Sequence, residues 1–232
     1  MTTRANSSEL IRAGGIVGTI HSAESLRAAR RIPAGALDFI ELRVDHFAND
    51  PAPLLRAAAT LAVPMIVTVR DPAEGGQHRL GTARRRELYA QFLPHAAAVD
   101  VELRNVRALA PTLAAARARG ALVIVSFHDF RATPSAARLR EIVRRAAAAG
   151  ADVIKIAARA DTSAALGRLL ALFTTKSPRP LSVMAMGRYG KVSRLLLAQA
   201  GSVLNYAALG AANASGQWPV RGFRQRLAEL AP

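Results

Sequence analysis

The sequence predicts an α/β protein, a (β/α)8 barrel forming a single domain over residues 1–232. Three observations predict it. Eight short apolar runs alternate with eight longer Ala/Leu/Arg stretches, at about 29 residues per unit. The unusual polar residues fall at or just past the ends of those runs, where a barrel collects its chemistry. No Gly-rich phosphate loop follows the first run, as it often does in the competing open, doubly wound sheet.

Taken in order, Gly15–Ile20 is the first predicted strand and residues 22–32 the first helix. Leu37–Val44 and 51–62 form the second unit, with Asp50 before Pro51 as a helix-start signal. Met65–Arg70 and 82–97 form the third, Val99–Leu103 and 106–119 the fourth. Leu122–Phe127 and 135–149 follow, with Thr133 before Pro134 as the start signal. Asp152–Ala157 and 161–174, Leu181–Met186 and 189–200, then Ser202–Tyr206 and 219–230 complete eight. Gly120 and Gly150 each stand between a helix and the next strand, as helix stops do.

Composition narrows the function. Cysteine is absent, which excludes disulfides and thiolate metal sites. No His/Asp/Glu set has metal-ligand spacing, so neither metal nor cofactor is expected. The first ten residues are polar, no apolar run reaches the ~18 residues of a membrane span, and the expected location is cytoplasmic. The net charge of +16 raises the question of a polyanionic partner. The arginines are scattered along helices (Arg84–Arg86, Arg117, Arg119, Arg138, Arg140, Arg144, Arg145), which favours solvated helix faces over a nucleic-acid surface. Such a surface still suits a small anionic substrate. Among 32 basic residues only three are lysines, so Lys155 inside the apolar DVIKIA run demands an explanation.

The polar residues supply candidates. Glu41 and Arg43 end the second strand two apart, on one face. Arg70 ends the third, with Glu74 in the Gly-Gly loop beyond; Glu102 is late in the fourth. His128 and Asp129 follow the fifth, Lys155 lies in the sixth, and Met184 and Met186 end the seventh, with Arg194 beyond. Gln217 follows the eighth. Each has a structural alternative. Glu41 and Arg43 are also a plausible buried ion pair, Lys155 a member of a salt-bridge layer, and His128 a helix cap. Met184 and Met186 are also plain packing residues, and Glu102 reads better as support than as catalyst. The functional reading rests on their gathering at one rim.

At these residues the sequence resembles type I 3-dehydroquinate dehydratases. The similar segments are FIELRVDHF (39–47), VTVRDPAEGG (67–76), VDVEL (99–103), VSFHDFRATP (125–134), ADVIKIA (151–157), VMAMGRYGKVSR (183–194) and GSVLNYAALGAANASGQ (201–217). The resemblance implies Lys155 as Schiff-base lysine, His128 as general acid/base and Glu74 as the acid that orients it. It implies Glu41, Arg43 and Arg70 around the substrate hydroxyls, Arg194 on the substrate carboxylate, and Met184, Met186 and Tyr206 as apolar walls. Asn213 and Gln217 fall on a lid, where this chain lacks a proline common in the family, so a freer loop is expected. A homodimer is implied as well.

The chemistry needs these residue types. Removing water from a cyclic β-hydroxy ketone first takes a proton from beside the ketone, and a protonated imine accepts the resulting electron pair. Lysine attacks as the free amine, which the apolar neighbours Val153, Ile154 and Ile156 favour, as nearby arginines would. An imidazole can both take and return the proton near pH 7. A guanidinium fork fits a carboxylate. Two alternatives remain at this point: a Schiff-base enzyme for another hydroxy-keto acid, and a non-catalytic barrel that binds polyanions.

Overall fold

The computed structural model describes residues 11–230; the polar segment 1–10, and with it the reading that no secretory signal is present, lies outside them. The described chain runs β1 (Gly15–Ile20), α1 (Ala23–Ala29), β2 (Phe39–Arg43), α2 (Ala52–Ala58), β3 (Met65–Thr68), α3 (Thr82–Phe92), β4 (Ala96–Glu102), α4 (Ala110–Ala118), β5 (Leu122–Asp129), α5 (Ala136–Ala148), β6 (Val153–Arg159), α6 (Ser163–Leu170), β7 (Leu181–Met186), α7 (Gly190–Gln199), β8 (Leu204–Ala208) and α8 (Val220–Glu229). The strands are parallel, in the order β7-β6-β5-β4-β3-β2-β1-β8. β7 and β8 meet through Val203 N–H donating to Leu181 O (2.9 Å), Ser182 Oγ donating to Leu204 O (2.6 Å) and Val183 N–H donating to Ser202 Oγ (3.0 Å). Serine hydroxyls thus stand in for part of the ladder at the seam, and the barrel closes.

Strand alternation sorts the side chains. Outward residues join the helices in the larger core: α5, for example, presents Leu139, Ile142, Val143 and Ala146, one stripe at helical spacing. Inward residues Val17, Phe39, Ile66, Ala98, Ile124, Val153 and Leu204 form an apolar floor inside the barrel. Burying a Phe or Ile there contributes roughly 1.5–3 kcal/mol each. Two residues further along the same strands stand Thr19, Glu41, Thr68, Asp100, Ser126, Lys155 and Tyr206, all buried. The period of two that places a dry floor therefore also places a polar layer directly above it.

Several boundaries differ from the sequence reading. β5 and β6 run on through Asp129 and Arg159, so His128 lies in a strand and caps no helix. β8 begins and ends two residues later than expected. Helix α3 stops at Phe92 because Pro94 follows in a tighter turn, and α4 starts late, with Pro111 in its first turn. The expected cap at Thr133 is made instead by Ser135, whose hydroxyl accepts from Arg138 N–H. Thr133 Oγ1 donates to Arg159 O (2.7 Å), tying the β5–α5 loop to the end of β6. Asp50 does serve α2, accepting from Ala52 N–H. Gly120 and Gly150 hold the left-handed conformation of helix stops.

Candidate active site

The polar layer opens at the C-terminal ends of the strands into a cavity of about 120 Å³. That is close to the ~150 Å³ that holds a benzene ring, and so suits one small molecule. Lys155, His128, Glu74, Glu41, Arg43, Arg70, Met184, Met186, Arg194, Tyr206, Asn213 and Gln217 all line it. These twelve are therefore brought to one place, from β2, β5, β6, β7 and β8, helix α7 and the loops after β3 and β8, whereas Glu102 and Asp129, which the sequence also offered, do not line the cavity.

Lys155 is 4 % exposed. Its Nζ donates to Asp100 Oδ2 (2.9 Å) and Glu41 Oε1 (3.3 Å), and lies 3.8 Å from the centre of the Tyr206 ring. The contacts of the amine are thus two acids and an aromatic face. Arg70 lies beyond Asp100, gripping both of its oxygens (2.8 and 3.1 Å) while reaching Glu102 (3.2 Å) and Ser126 Oγ (2.7 Å). Burial would raise the Asp100 carboxyl, but Arg70 and then Lys155 hold it well below the usual range. Glu41 is fixed by Thr68 Oγ1 (3.0 Å) and Thr19 Oγ1 (3.4 Å). It does not pair with Arg43, which forks onto Asp45 (2.8 and 3.0 Å) and donates to Gly75 O (2.9 Å).

Asp100 is the central residue the sequence reading missed, with Thr19, Thr68 and Ser126 around it. The signal was present: Asp100 stands two before Glu102 in VDVEL and two after the floor residue Ala98. Glu102 itself is support. It accepts from Arg85 Nη2 (2.6 Å), Asn105 Nδ2 (2.9 Å) and Asp71 N–H (2.8 Å), binding α3 and the β3 loop to β4.

His128 stands two residues further along β5 than Ser126, the ladder partner of Lys155. That offset advances the chain by roughly 6–7 Å, on the same inward face. Glu74 Oε2 accepts from the His128 backbone N–H (2.9 Å) and shares a hydrogen bond with ring Nδ1 (3.0 Å), which leaves Nε2 for a ligand. Burial, then the Arg70 and Lys155 cations, push the His128 imidazole well down, so it is neutral. Burial pushes Glu74 up to about 7. The loop that delivers Glu74 needs its glycines: Gly75 has φ +87° beneath the Phe130 ring, and a Cβ at Gly76 would stand 2.2 Å from the Arg70 carbonyl oxygen.

At the far wall, Arg194 on α7 is 2 % exposed. Its Nε donates to Gly216 O and its Nη1 to Tyr206 O, both at 3.0 Å. No acid among the described residues pairs with it, and burial alone lowers it to about 10, still charged at neutral pH. A buried cation held by carbonyl oxygens alone calls for an anion. In the loop above, which lacks that proline, Gln217 Oε1 accepts from Asn213 N–H (3.0 Å) and Trp218 Nε1 donates to Lys191 O (2.9 Å). Gln217 therefore spends its oxygen on shaping the lid.

Fold and site together define a (β/α)8-barrel enzyme with a small-molecule site at the C-terminal mouth of the barrel. The chain belongs to the type I 3-dehydroquinase family, whose sequence model matches residues 17–231. It is 35% identical to a 3-dehydroquinate dehydratase of Thermococcus gammatolerans, over 93% of this chain and 98% of that protein. It is 30% identical to a catabolic 3-dehydroquinate dehydratase of Acinetobacter baylyi, over 84% and 76%. The crystal structure of 3-dehydroquinate dehydratase from Geobacillus kaustophilus superposes with a TM-score of 0.83 at 28% identity, covering 93% of this chain and 90% of that one. Among the described residues no helix is long and apolar enough to cross a membrane, and no cluster of His, Cys, Asp and Glu has the makings of a metal site.

Proposed function

We propose that this protein eliminates water from 3-dehydroquinate to give 3-dehydroshikimate through a Schiff base on Lys155. The observation that carries the reading is the placement of a buried lysine and a neutral histidine on adjacent strands of one cavity, with an acid-free arginine on the opposite wall.

The substrate carboxylate docks on Arg194, which brings the ketone toward Lys155. His128 takes a proton from the Lys155 nitrogen, the freed amine adds to the carbonyl carbon, and the same proton returned to the carbinolamine hydroxyl lets it leave as water, giving a protonated imine. His128 Nε2 takes a proton from the carbon next to the imine, and the C–H electron pair flows to nitrogen as an enamine. Glu74, bound to Nδ1, supports the imidazolium that forms. The enamine returns its electron pair, the β C–O bond breaks, and His128 hands its proton to the leaving hydroxyl. Water then hydrolyses the conjugated imine and frees Lys155. Met184 and Met186 flank the ring, and Glu41, Arg43 and Arg70 hold the polar side.

Borohydride reduction in the presence of 3-dehydroquinate should add a stable mass to the wild type and none to Lys155→Ala, alongside the rising absorbance of a conjugated enone in the wild type alone. Folded wild-type protein that neither turns over nor traps 3-dehydroquinate overturns the reading. The cytoplasmic location expected from the sequence belongs to this proposal, as does the homodimer that the resemblance implies, the latter tested by sedimentation at twice the chain mass of 24.6 kDa.

A further inference from the structure

Tyr206 does more than an apolar wall requires. Its ring face covers Lys155 Nζ, which phenylalanine would do equally well. Yet it carries a hydroxyl that is shut from solvent and, among the described residues, makes no hydrogen bond, in a side chain that is 3 % exposed. Burying a hydroxyl without a partner is costly, and such groups in folded proteins usually serve a ligand. Asn213, above it in the lid loop, has the matching feature: a buried carboxamide oxygen without a donor. Both residues line the cavity.

The surroundings identify what the phenol would bind. Its charge neighbours are Glu41, Asp100, Arg70 and Arg43, the cluster around Lys155, and burial together with the two acids keeps the hydroxyl protonated. Arg194 reaches Tyr206 at its backbone oxygen, while the ring centre lies 3.8 Å from Lys155 Nζ. The phenol hydroxyl therefore stands at the imine end of the cavity and not at the carboxylate end. Beside two carboxylates it would disfavour a further anion and accept a neutral oxygen as its acceptor.

We propose that Tyr206 is a specificity-determining residue whose hydroxyl donates to the substrate hydroxyl adjacent to the ketone, with Asn213 Oδ1 as a second polar contact from the lid. This rests on the function proposed above and adds to it a donor that the elimination itself does not need. The ring shields the Schiff base, and the hydroxyl selects a hydroxylated ring over a deoxy one.

The test is Tyr206→Phe, which removes one oxygen and keeps the ring over Lys155. With 3-dehydroquinate, KM should rise about tenfold while kcat stays within about twofold, because a neutral hydrogen bond formed in both ground and transition states is lost. With the analogue lacking the hydroxyl next to the ketone, wild type and variant should have the same KM. The melting temperature of the ligand-free variant should equal or exceed that of the wild type, since no hydrogen bond of the free protein is removed. An unchanged KM for 3-dehydroquinate, an equal loss with the deoxy analogue, or a lower melting temperature overturns the inference. Turnover by the wild type separates these outcomes from failure of the underlying function: a wild type inactive on 3-dehydroquinate overturns both.

Discussion

At the scale of single residues, the His128–Glu74 pair sets the pH behaviour. Glu74 is pushed from 4.5 up to about 7 by burial, outweighing the pull of Arg70. Below that pH the native protein holds a proton on Glu74 that the unfolded chain releases at about 4.5. The stability Glu74 contributes is therefore full below about pH 4.5 and is lost as pH rises toward 7. Activity runs the other way, because only the carboxylate supports the imidazolium of His128. The expected profile of kcat/KM rises through about pH 7. Glu74→Gln should flatten that rise and lower the plateau by about 10²-fold, within the range of general acid–base effects. A pH–rate profile in matched buffers checks both halves, and a variant retaining the limb near 7 would assign it to another group.

At the scale of elements, strands β3 and β4 are held together by charge inside an apolar barrel. Arg70, two residues past the end of β3, and Arg85 on α3 both meet Glu102 of β4, all three nearly sealed from solvent. Breaking one partner of such a group leaves a buried charge uncompensated, at about 3–5 kcal/mol. Glu102→Gln should therefore lower the melting temperature by roughly 6–20 °C, taking ~2–4 °C per kcal/mol for a chain of this size. Calorimetry checks this, and a loss under about 2 °C would mean that Arg70 and Arg85 redistribute onto Asp100 and Asp71. This network also marks the limit of what the sequence discloses. The eight strands, the lysine in DVIKIA and the histidine after VSF are legible because apolar runs and their interruptions are local. Partners are not. That Lys155 meets Asp100 and Glu41, and that Arg43 takes Asp45 in preference to Glu41, depends on strand register and on how far each side chain reaches across the barrel. Asp100 was within reach of a stricter reading, since stepping two residues up from each floor position names it, whereas the unpartnered hydroxyl of Tyr206 has no sequence signal beyond the residue type.

At the scale of the molecule, the charge of +16 has a use that does not require a nucleic acid. On the helices the arginines are interleaved with acids, as in Arg84–Glu87, Arg138–Glu141 and Arg226–Glu229. Such exposed pairs hold solvated faces and contribute little to stability. Around the mouth of the barrel, Arg131, Arg159, Arg188 and Lys191 are exposed at the ends of β5, β6 and β7. Two acids lie among them: Asp161, which pairs with the Arg159 side chain and accepts from the Arg188 backbone N–H, and Asp129, which accepts from the Arg131 backbone N–H, so the rim keeps a net positive charge. A cationic rim leading to the buried Arg194 would draw a small carboxylate inward and raise its encounter rate. Because these charges face water, salt should screen them over a Debye length of about 8–10 Å at physiological ionic strength. We expect kcat/KM to fall about 3- to 10-fold between roughly 20 mM and 500 mM sodium chloride, with kcat within about twofold, since the charges act before the chemistry begins. Arg188→Glu should reduce the low-salt value and flatten the salt dependence, leaving kcat near that of the wild type. If kcat/KM is indifferent to salt while the protein retards nucleic acid in the same range of ionic strength, the basic surface serves a polyanion and not the substrate.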